Sequence, residues 1–486
     1  MPAAPGRPDS SLHREQWRVA VIGGGIAGLS AAVALAERGV AVRLLEREQY
    51  LGGRVGGWTT TLRDGSRATM TRGFHAFFRQ YYNLRSLLRR VDPGLDHLVS
   101  TGDYPLLHAD GRQESFAGLP RTPPWNLAAF VARSPSFTLT DLFRFDLRAG
   151  LEMLRASVPA TYRRLDHLDA ETYLDQVGFP ASVRDLAFSV FSRSFFAHPS
   201  QLSAAELVAM FHQYFLGSSE GLLFDVPSEP FPQALWNPLR SYLESLGAEC
   251  YPGWSAERVE RAGPQRYLVT ANDHQFEAHA VVLATDVSSL RDLVACSPTL
   301  GNPAWRDRIA RLRTAPPFLV SRYWFDDPVR GDRPAFLATA GFGPLDNISI
   351  LDRYDLDAQR WAAGTGGSVV ELHAYAIDGQ VTPESLRAEL QRAYPETAGL
   401  RVVDERHERR ADSPLFPPGG FADRPRVRTP NPNVMLAGDL VRVDLPVALM
   451  ERAATSGLLA ANGLLNQWGI RGHPAWSVPN TGRLRR

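Results

Sequence analysis

The chain has 486 residues, of which 44% are hydrophobic and 22% charged, the composition of a soluble globular protein long enough for two or three domains. Its formal net charge of +1 gives no reason to expect nucleic acid as a partner. All 53 cationic residues are arginine, so chemistry that needs a lysine amine is excluded. The two cysteines, Cys250 and Cys296, stand in no metal-ligand spacing, so no metal is expected. Their scarcity fits a reducing, cytoplasmic setting.

In chain order, residues 2–16 contain no apolar core and read as a disordered tail rather than a signal peptide. Residues 473–486 read as a second tail. Arg18 to Glu46 reads RVAVIGGGIAGLSAAVALAERGVAVRLLE. Val19–Ile22 is a short apolar run suited to a buried parallel strand. Gly23, Gly25 and Gly28 follow in a G-x-G-x-x-G pattern, then a helix that Gly39 ends and a second strand that Glu46 closes. Gly23 permits the tight turn, Gly25 a close approach of the backbone to pyrophosphate, and Gly28 close packing of helix on sheet. The helix N-terminus offers N–H groups to phosphate, and Glu46 is placed to accept ribose hydroxyls. Strand, glycines, helix, strand and acid in this order predict a dinucleotide site. Val19–Ala36 is an 18-residue uncharged stretch that could pass for a membrane span, but its glycines assign it to the cofactor.

Gly52-Gly53-Arg54 follows where the chain should double back beneath the cofactor, and Arg54 is suited to pair with phosphate. With these residues the chain resembles the flavoprotein superfamily of amine oxidases, protoporphyrinogen oxidase and carotenoid desaturases. The string TRGFHAFFRQYYNLRSLLRR (Thr71–Arg90) resembles the ζ-carotene desaturase branch and, more narrowly, the carotenoid φ-ring synthases. In relatives the Gly-x-His stretch approaches the flavin ring, so the resemblance implies that Gly73, Phe74 and His75 border it. His75 is the first catalytic candidate, with Phe74 and Tyr82 beside it.

Residues 105–224 read as helical, aromatic-rich and broken by prolines. Trp125, Leu127, Phe130 and Val131 suggest either a patch that dips into a bilayer or an ordinary amphipathic helix. FSRSFFAHPS (Phe191–Ser200) and MFHQYF (Met210–Phe215) supply aromatics for a cavity wall or for the core. Cofactor-domain patterning resumes near Glu229, with a helix over Leu235–Leu246 and a buried strand over Ala280–Ala284. Strands are expected at Phe318–Asp326, Ala335–Phe342 and Ser368–Ala376, with a helix over Pro383–Tyr394. Val434–Ala437 reads as a strand, then Gly438-Asp439 and a helix over Pro446–Leu465.

The fold class predicted is α/β: a Rossmann-like (GR2-type) FAD-binding domain with an inserted α+β substrate domain. The cofactor domain is assigned residues 17–104, 225–300 and 411–472, and the substrate domain residues 105–224 and 301–410. The resemblance implies FAD, with Asp439 on a ribityl hydroxyl and the following helix N-terminus facing the flavin. The expected cofactor set is Gly23, Gly25, Ala27, Gly28, Glu46, Arg47, Gly53, Arg54, Gly73, Phe74, Ala256, Thr285, Gly438, Asp439 and Met450. Relatives commonly carry Met-Glu-Gly-Ala in the last helix, whereas this chain has Met450-Glu451-Arg452-Ala453, a departure associated with φ-ring synthases. The reaction implied is hydride transfer from a carotenoid β-ionone ring to flavin, methyl migration and aromatisation, by a protein peripheral to the inner membrane face. An acyclic carotenoid or polyprenoid desaturase, an amine oxidase and a non-redox isoprenoid escort protein are the other readings.

Overall fold

A computed structural model describes residues 1–10, 17–123, 125–134, 155–179, 195–377 and 379–482. At its centre is a five-stranded sheet in the order Glu249–Pro252, Ala41–Glu46, Arg18–Ile22, Ala280–Leu283, Val434–Leu436. Every neighbouring pair is parallel, with Val21 opposite Val282 and Val282 opposite Met435. The apolar run Ala280–Leu283 is buried throughout, as a strand covered on both faces must be.

One face carries the helix Ile26–Ala36, all of whose residues are buried. It is wedged between the sheet and the C-terminal helix Leu449–Gln467, and small residues let the two backbones meet. A Cβ on Gly457 would lie 2.1 Å from the Ala27 carbonyl oxygen, and Ser30 Oγ donates to Ala454 O at 2.8 Å. This packing brings the two ends of the chain to one site. The other face is covered by an antiparallel meander of Ala256–Gly263, Arg266–Ala271 and His274–Ala278, where Val259, Tyr267 and Val269 pack on Ala20, Ile22 and Leu283.

A second, mixed sheet of seven strands runs in the order Val402–Arg410, Phe318–Phe325, Ser368–Ala374, Asn347–Ile350, Phe336–Ala340, Leu106–His108, Gln113–Glu114. Two of its strands come from residues 105–224, a region read as helical from the sequence. Leu106–His108 lies parallel to Phe336–Ala340, with Ala338 opposite Leu106. Strands this short carry no readable alternation. The helix expected over Leu235–Leu246 begins as a π-helical turn, Pro232–Trp236, and continues as Asn237–Ser245. The last helix starts at Leu449 instead of Pro446, because Ala448 is extended and Leu449 takes φ +51°.

Both presumed tails pack where they are described. The Met1 ammonium donates to Ala475 O at 2.6 Å, Arg7 bridges to Ile470, and Ser10 is buried. Val478 is buried, and His212 Nε2 meets Pro479 O at 2.8 Å. Main-chain pairing holds these segments, and composition does not display it. Residues 11–16 and 483–486 lie outside the described residues. Among the described residues no helix is long and apolar enough to cross a membrane. The uncharged stretch of Val19–Ala36 is divided by the Gly23–Gly25 turn into strand and helix.

Candidate active site

A continuous cavity of about 630 Å³ runs from the tips of the parallel strands into the gap between the two sheets. Its first half is polar and built by glycines. Gly23 turns at φ +109°, where a Cβ would sit 2.4 Å from Ala284 O. The chain then passes so close to its own later segment that Gly52 N–H donates to Gly24 O at 2.9 Å. Glu46 is held by two main-chain donors, Gly24 N–H on Oε2 at 2.6 Å and Glu48 N–H on Oε1 at 2.9 Å. Burial outweighs those donors and pushes its carboxyl above the ordinary range. Each oxygen keeps a second lone pair for a ribose hydroxyl.

Arg54 Nη2 donates to Asp439 Oδ1 at 2.6 Å, which joins the second glycine turn to the loop before the C-terminal helix. Gly438 N–H donates to Ser456 Oγ at 2.8 Å, and Leu449, Met450 and Ala453 present that helix's first turn to the cavity. At the opposite end Ala256 lines the wall, and Arg47 reaches Asp286 at 3.0 Å and Ser289 Oγ at 2.7 Å. Thr285 Oγ1, Arg72 Nε and Asp412 Oδ1 are buried without a hydrogen-bond partner in residues that line the cavity. Buried polar atoms of this kind call for a ligand. Ribose acceptors, a glycine turn at a helix N-terminus and a second helix N-terminus fit FAD.

Beyond the polar half the cavity becomes an aromatic chamber whose lining includes Phe74, Phe78, Tyr104, Phe196, Phe318 and Phe336. Phe74 leans on Phe336 with ring centroids 4.3 Å apart and meets Phe224 edge-on at 6.1 Å. His75 lines the junction of the two halves. Its Nδ1–H donates to Gly73 O at 2.8 Å, and burial drives its pKa down to about 4.

Of the residues expected at the site, the cavity wall contains Gly23, Gly25, Ala27, Glu46, Arg47, Gly53, Arg54, Phe74, His75, Ala256, Thr285, Gly438, Asp439 and Met450. Three do not line it. Gly28 packs the helix on the turn, and Gly73, at φ +98°, lies against His373. Tyr82 turns away to Ser218, its hydroxyl 3.1 Å from Ser218 Oγ, and its neighbour Tyr81 lines the wall instead. Of MFHQYF (Met210–Phe215), none lines the cavity. FSRSFFAHPS contributes Phe195 and Phe196, and its residues 191–194 lie outside the described ones. Sequence reading missed Asn347, His373 and Tyr375, which also line the chamber. The signal was available: Glu371, His373 and Tyr375 put polar groups at a spacing of two along an otherwise apolar strand.

Arg452 lies just outside the chamber. Its Nη2 donates to Glu206 Oε2 at 2.8 Å and its Nε to Val447 O at 3.0 Å, while Arg424 engages the other oxygen of Glu206. Both guanidiniums lie over the ring of Phe416, at 4.2 Å for Arg424 and 4.9 Å for Arg452. Phe416 lines the cavity, so the departure at Arg452 pins part of its wall.

The family profile described as flavin containing amine oxidoreductase matches residues 26–465. The chain is 58% identical over 470 residues to the carotenoid phi-ring synthase of Streptomyces griseus, covering 96% of this chain and 91% of that protein. It is 25% identical to the zeta-carotene desaturase of Synechocystis, covering 92% of this chain and 97% of that protein. The solved cyclohexylamine oxidase of Brevibacterium oxydans shares the fold, with a TM-score of 0.67 at 15% identity, over 93% of this chain and 100% of that one. The chain is therefore an FAD-dependent oxidoreductase that belongs to the flavin containing amine oxidoreductase family and, within it, to the carotenoid phi-ring synthases.

Proposed function

We propose that the chain aromatises the β-ionone end ring of a carotenoid, moving one ring methyl to the neighbouring carbon without an external methyl donor. The observation that carries this reading is the aromatic chamber continuous with the nucleotide half of the cavity. A hydrocarbon ring finds apolar surface there and little to hydrogen-bond. The name of the Streptomyces griseus relative supports the same reading.

FAD, when bound, supplies the hydride acceptor. Glu46 would hold its adenosine ribose, the Gly23–Gly28 turn its pyrophosphate, and Asp439 its ribityl chain. Hydride loss leaves an allylic cation on the substrate ring, and the ring faces of Phe74, Phe78 and Phe336 stabilise it. The methyl shift and the loss of a ring proton give a cyclohexadiene, and loss of a second hydride and a second proton completes the aromatic ring.

We assign residues 17–104, 225–300 and 411–472 to cofactor binding and residues 105–224 and 301–410 to the substrate. We also infer that the substrate enters from the inner face of the membrane near the helix Trp125–Arg133. Trp125 is exposed there, while Phe130 is buried and stacks on the chamber residue Phe116 at 4.9 Å. The side chains of Leu127 and Val131 lie outside the described residues.

Incubation of the FAD-loaded protein with β-carotene tests the reading. Trimethylphenyl end groups are the expected product, with a carbon label on the geminal methyls retained in the aromatic ring. Acyclic desaturation alone, or recovery of unchanged β-rings, would refute it.

A further inference from the structure

A hydride that leaves the substrate ring carries a pair of electrons to the flavin and leaves a cation behind. The ring C–H has no neighbouring lone pair to help it go, so the acceptor's hold on the incoming charge bears directly on the barrier. The start of the helix Leu449–Gln467 is placed to strengthen that hold, because Leu449, Met450 and Ala453 line the cavity there. Its first turn carries one acid, Glu451, which accepts from Asn83 N–H at 2.9 Å and Leu84 N–H at 3.0 Å. Burial outweighs these donors and pushes its carboxyl up to about 8, so it adds little negative charge at neutral pH.

Arg452 stands on the same turn. A cation at the N-terminus of a helix opposes the macrodipole, so the helix itself gains nothing from it. Its charge is only partly answered. Glu206 lies between Arg452 and Arg424, and all three are buried. Two guanidiniums against one carboxylate leave one net positive charge where salt and water screen it little. Asp439, the other carboxylate that acts on Arg452, is already paired with Arg54. Arg452 is also tied to the loop before the helix, its Nε donating to Val447 O at 3.0 Å and its Nη1 to Asp439 O at 3.4 Å. Neither guanidinium lines the cavity. Both lie over Phe416, which does, so an aromatic ring separates the positive charge from the substrate.

We propose that Arg452, held by Glu206 behind the first turn of Leu449–Gln467, raises the reduction potential of the bound flavin by lending that turn an unbalanced positive charge. The transfer it favours balances between ring and flavin. The C–H bond breaks, both of its electrons leave with the hydrogen, and the ring keeps the positive charge. The proposal rests on the hydride-transfer part of the reading above, with the flavin ring against that turn, and names a residue that sets its driving force.

The test is the midpoint potential of the bound flavin, titrated anaerobically against a dye of known potential with no carotenoid present. It compares FAD-loaded wild type, Arg452→Met, Arg452→Lys and Glu206→Gln. Arg452→Met should make two-electron reduction at least about tenfold less favourable, a midpoint at least about 30 mV more negative. Glu206→Gln removes the carboxylate instead and should move the midpoint the opposite way. Arg452→Lys keeps the charge and should lie closer to wild type than to Arg452→Met. A merely structural role would shift Arg452→Met and Glu206→Gln in the same direction, because both break the same cluster. An unmoved midpoint in Arg452→Met, shifts of one sign in both, or a lysine variant as low as the methionine one would overturn the proposal. If Arg452→Met does not retain FAD, Arg424→Met removes the other positive charge and carries the same expectation. If Glu206→Gln does not, the contrast of methionine with lysine decides. Trimethylphenyl product from β-carotene is measured separately. An enzyme that makes it without these shifts overturns this proposal alone, and one that shows the shifts without making it overturns the ring-aromatising reading alone.

Discussion

Gly28→Ala is expected to give a chain that purifies without flavin, with bound FAD per protein at least about tenfold below wild type. A Cβ at Gly28 would fall 1.8 Å from Gly23 O, 3.0 Å from Gly23 C and 3.4 Å from Ala284 Cβ. The first contact is against main chain, which cannot swing aside as a side chain can. Either the helix Ile26–Ala36 withdraws from the turn or the turn opens, and both change the donors offered to the pyrophosphate. The helix is buried along its whole length, so a shift also disturbs its packing on Leu449–Gln467. Flavin absorbance of the purified variant, set against its protein concentration, provides the measurement. Full flavin content would contradict the role given to this glycine.

Glu206→Gln should lower stability at pH 7 by about 3–5 kcal/mol, read as a fall in the urea midpoint. Glu206 is fully buried between Arg424 and Arg452, which are themselves buried. An amide leaves both guanidiniums without their counter-charge in a site that water does not reach. The loss should also depend on pH. Burial alone would raise the Glu206 pKa, but Arg424 and Arg452 outweigh it and hold the carboxyl at about 2, against an ordinary value of 4.5. A folded-state pKa below the unfolded one gives stability that is present above pH 4.5 and lost as pH falls through about 2. The gap between wild type and Glu206→Gln should therefore narrow over that window. Equal midpoints at pH 7, or a gap that does not change down to pH 2, would contradict this role.

The parts of the fold that the sequence disclosed are those whose physics is local. Strand Arg18–Ile22, the glycine turn, helix Ile26–Ala36 and strand Ala41–Glu46 lie within a residue or two of where pattern alone places them. Their apolar periods and glycines are read over short windows. The strands Phe318–Phe325 and Ser368–Ala374 were equally visible from their β-branched and aromatic runs. The failures are of another kind. Leu106–His108 is placed in the large sheet by pairing with Phe336–Ala340, from a distant part of the chain, and with the very short strand Gln113–Glu114. Tyr82 faces Ser218 while Tyr81 lines the cavity, because one position along a helix start turns a side chain by about 100°. Arg452 stood out as a departure from its relatives, but its partner Glu206 lies 246 residues away. His373 comes to the cavity wall only with the strand Asn347–Ile350 and the Gly73 turn packed beside it.

A crystal structure of the FAD-loaded protein would test most directly whether the two ends of the chain enclose one flavin against the aromatic chamber. The expected result places the adenosine ribose on Glu46. It places the isoalloxazine between the Phe74–His75 turn and the first turn of Leu449–Gln467, open to Phe336. A ribose bound away from Glu46, or a flavin ring outside that chamber, would contradict it.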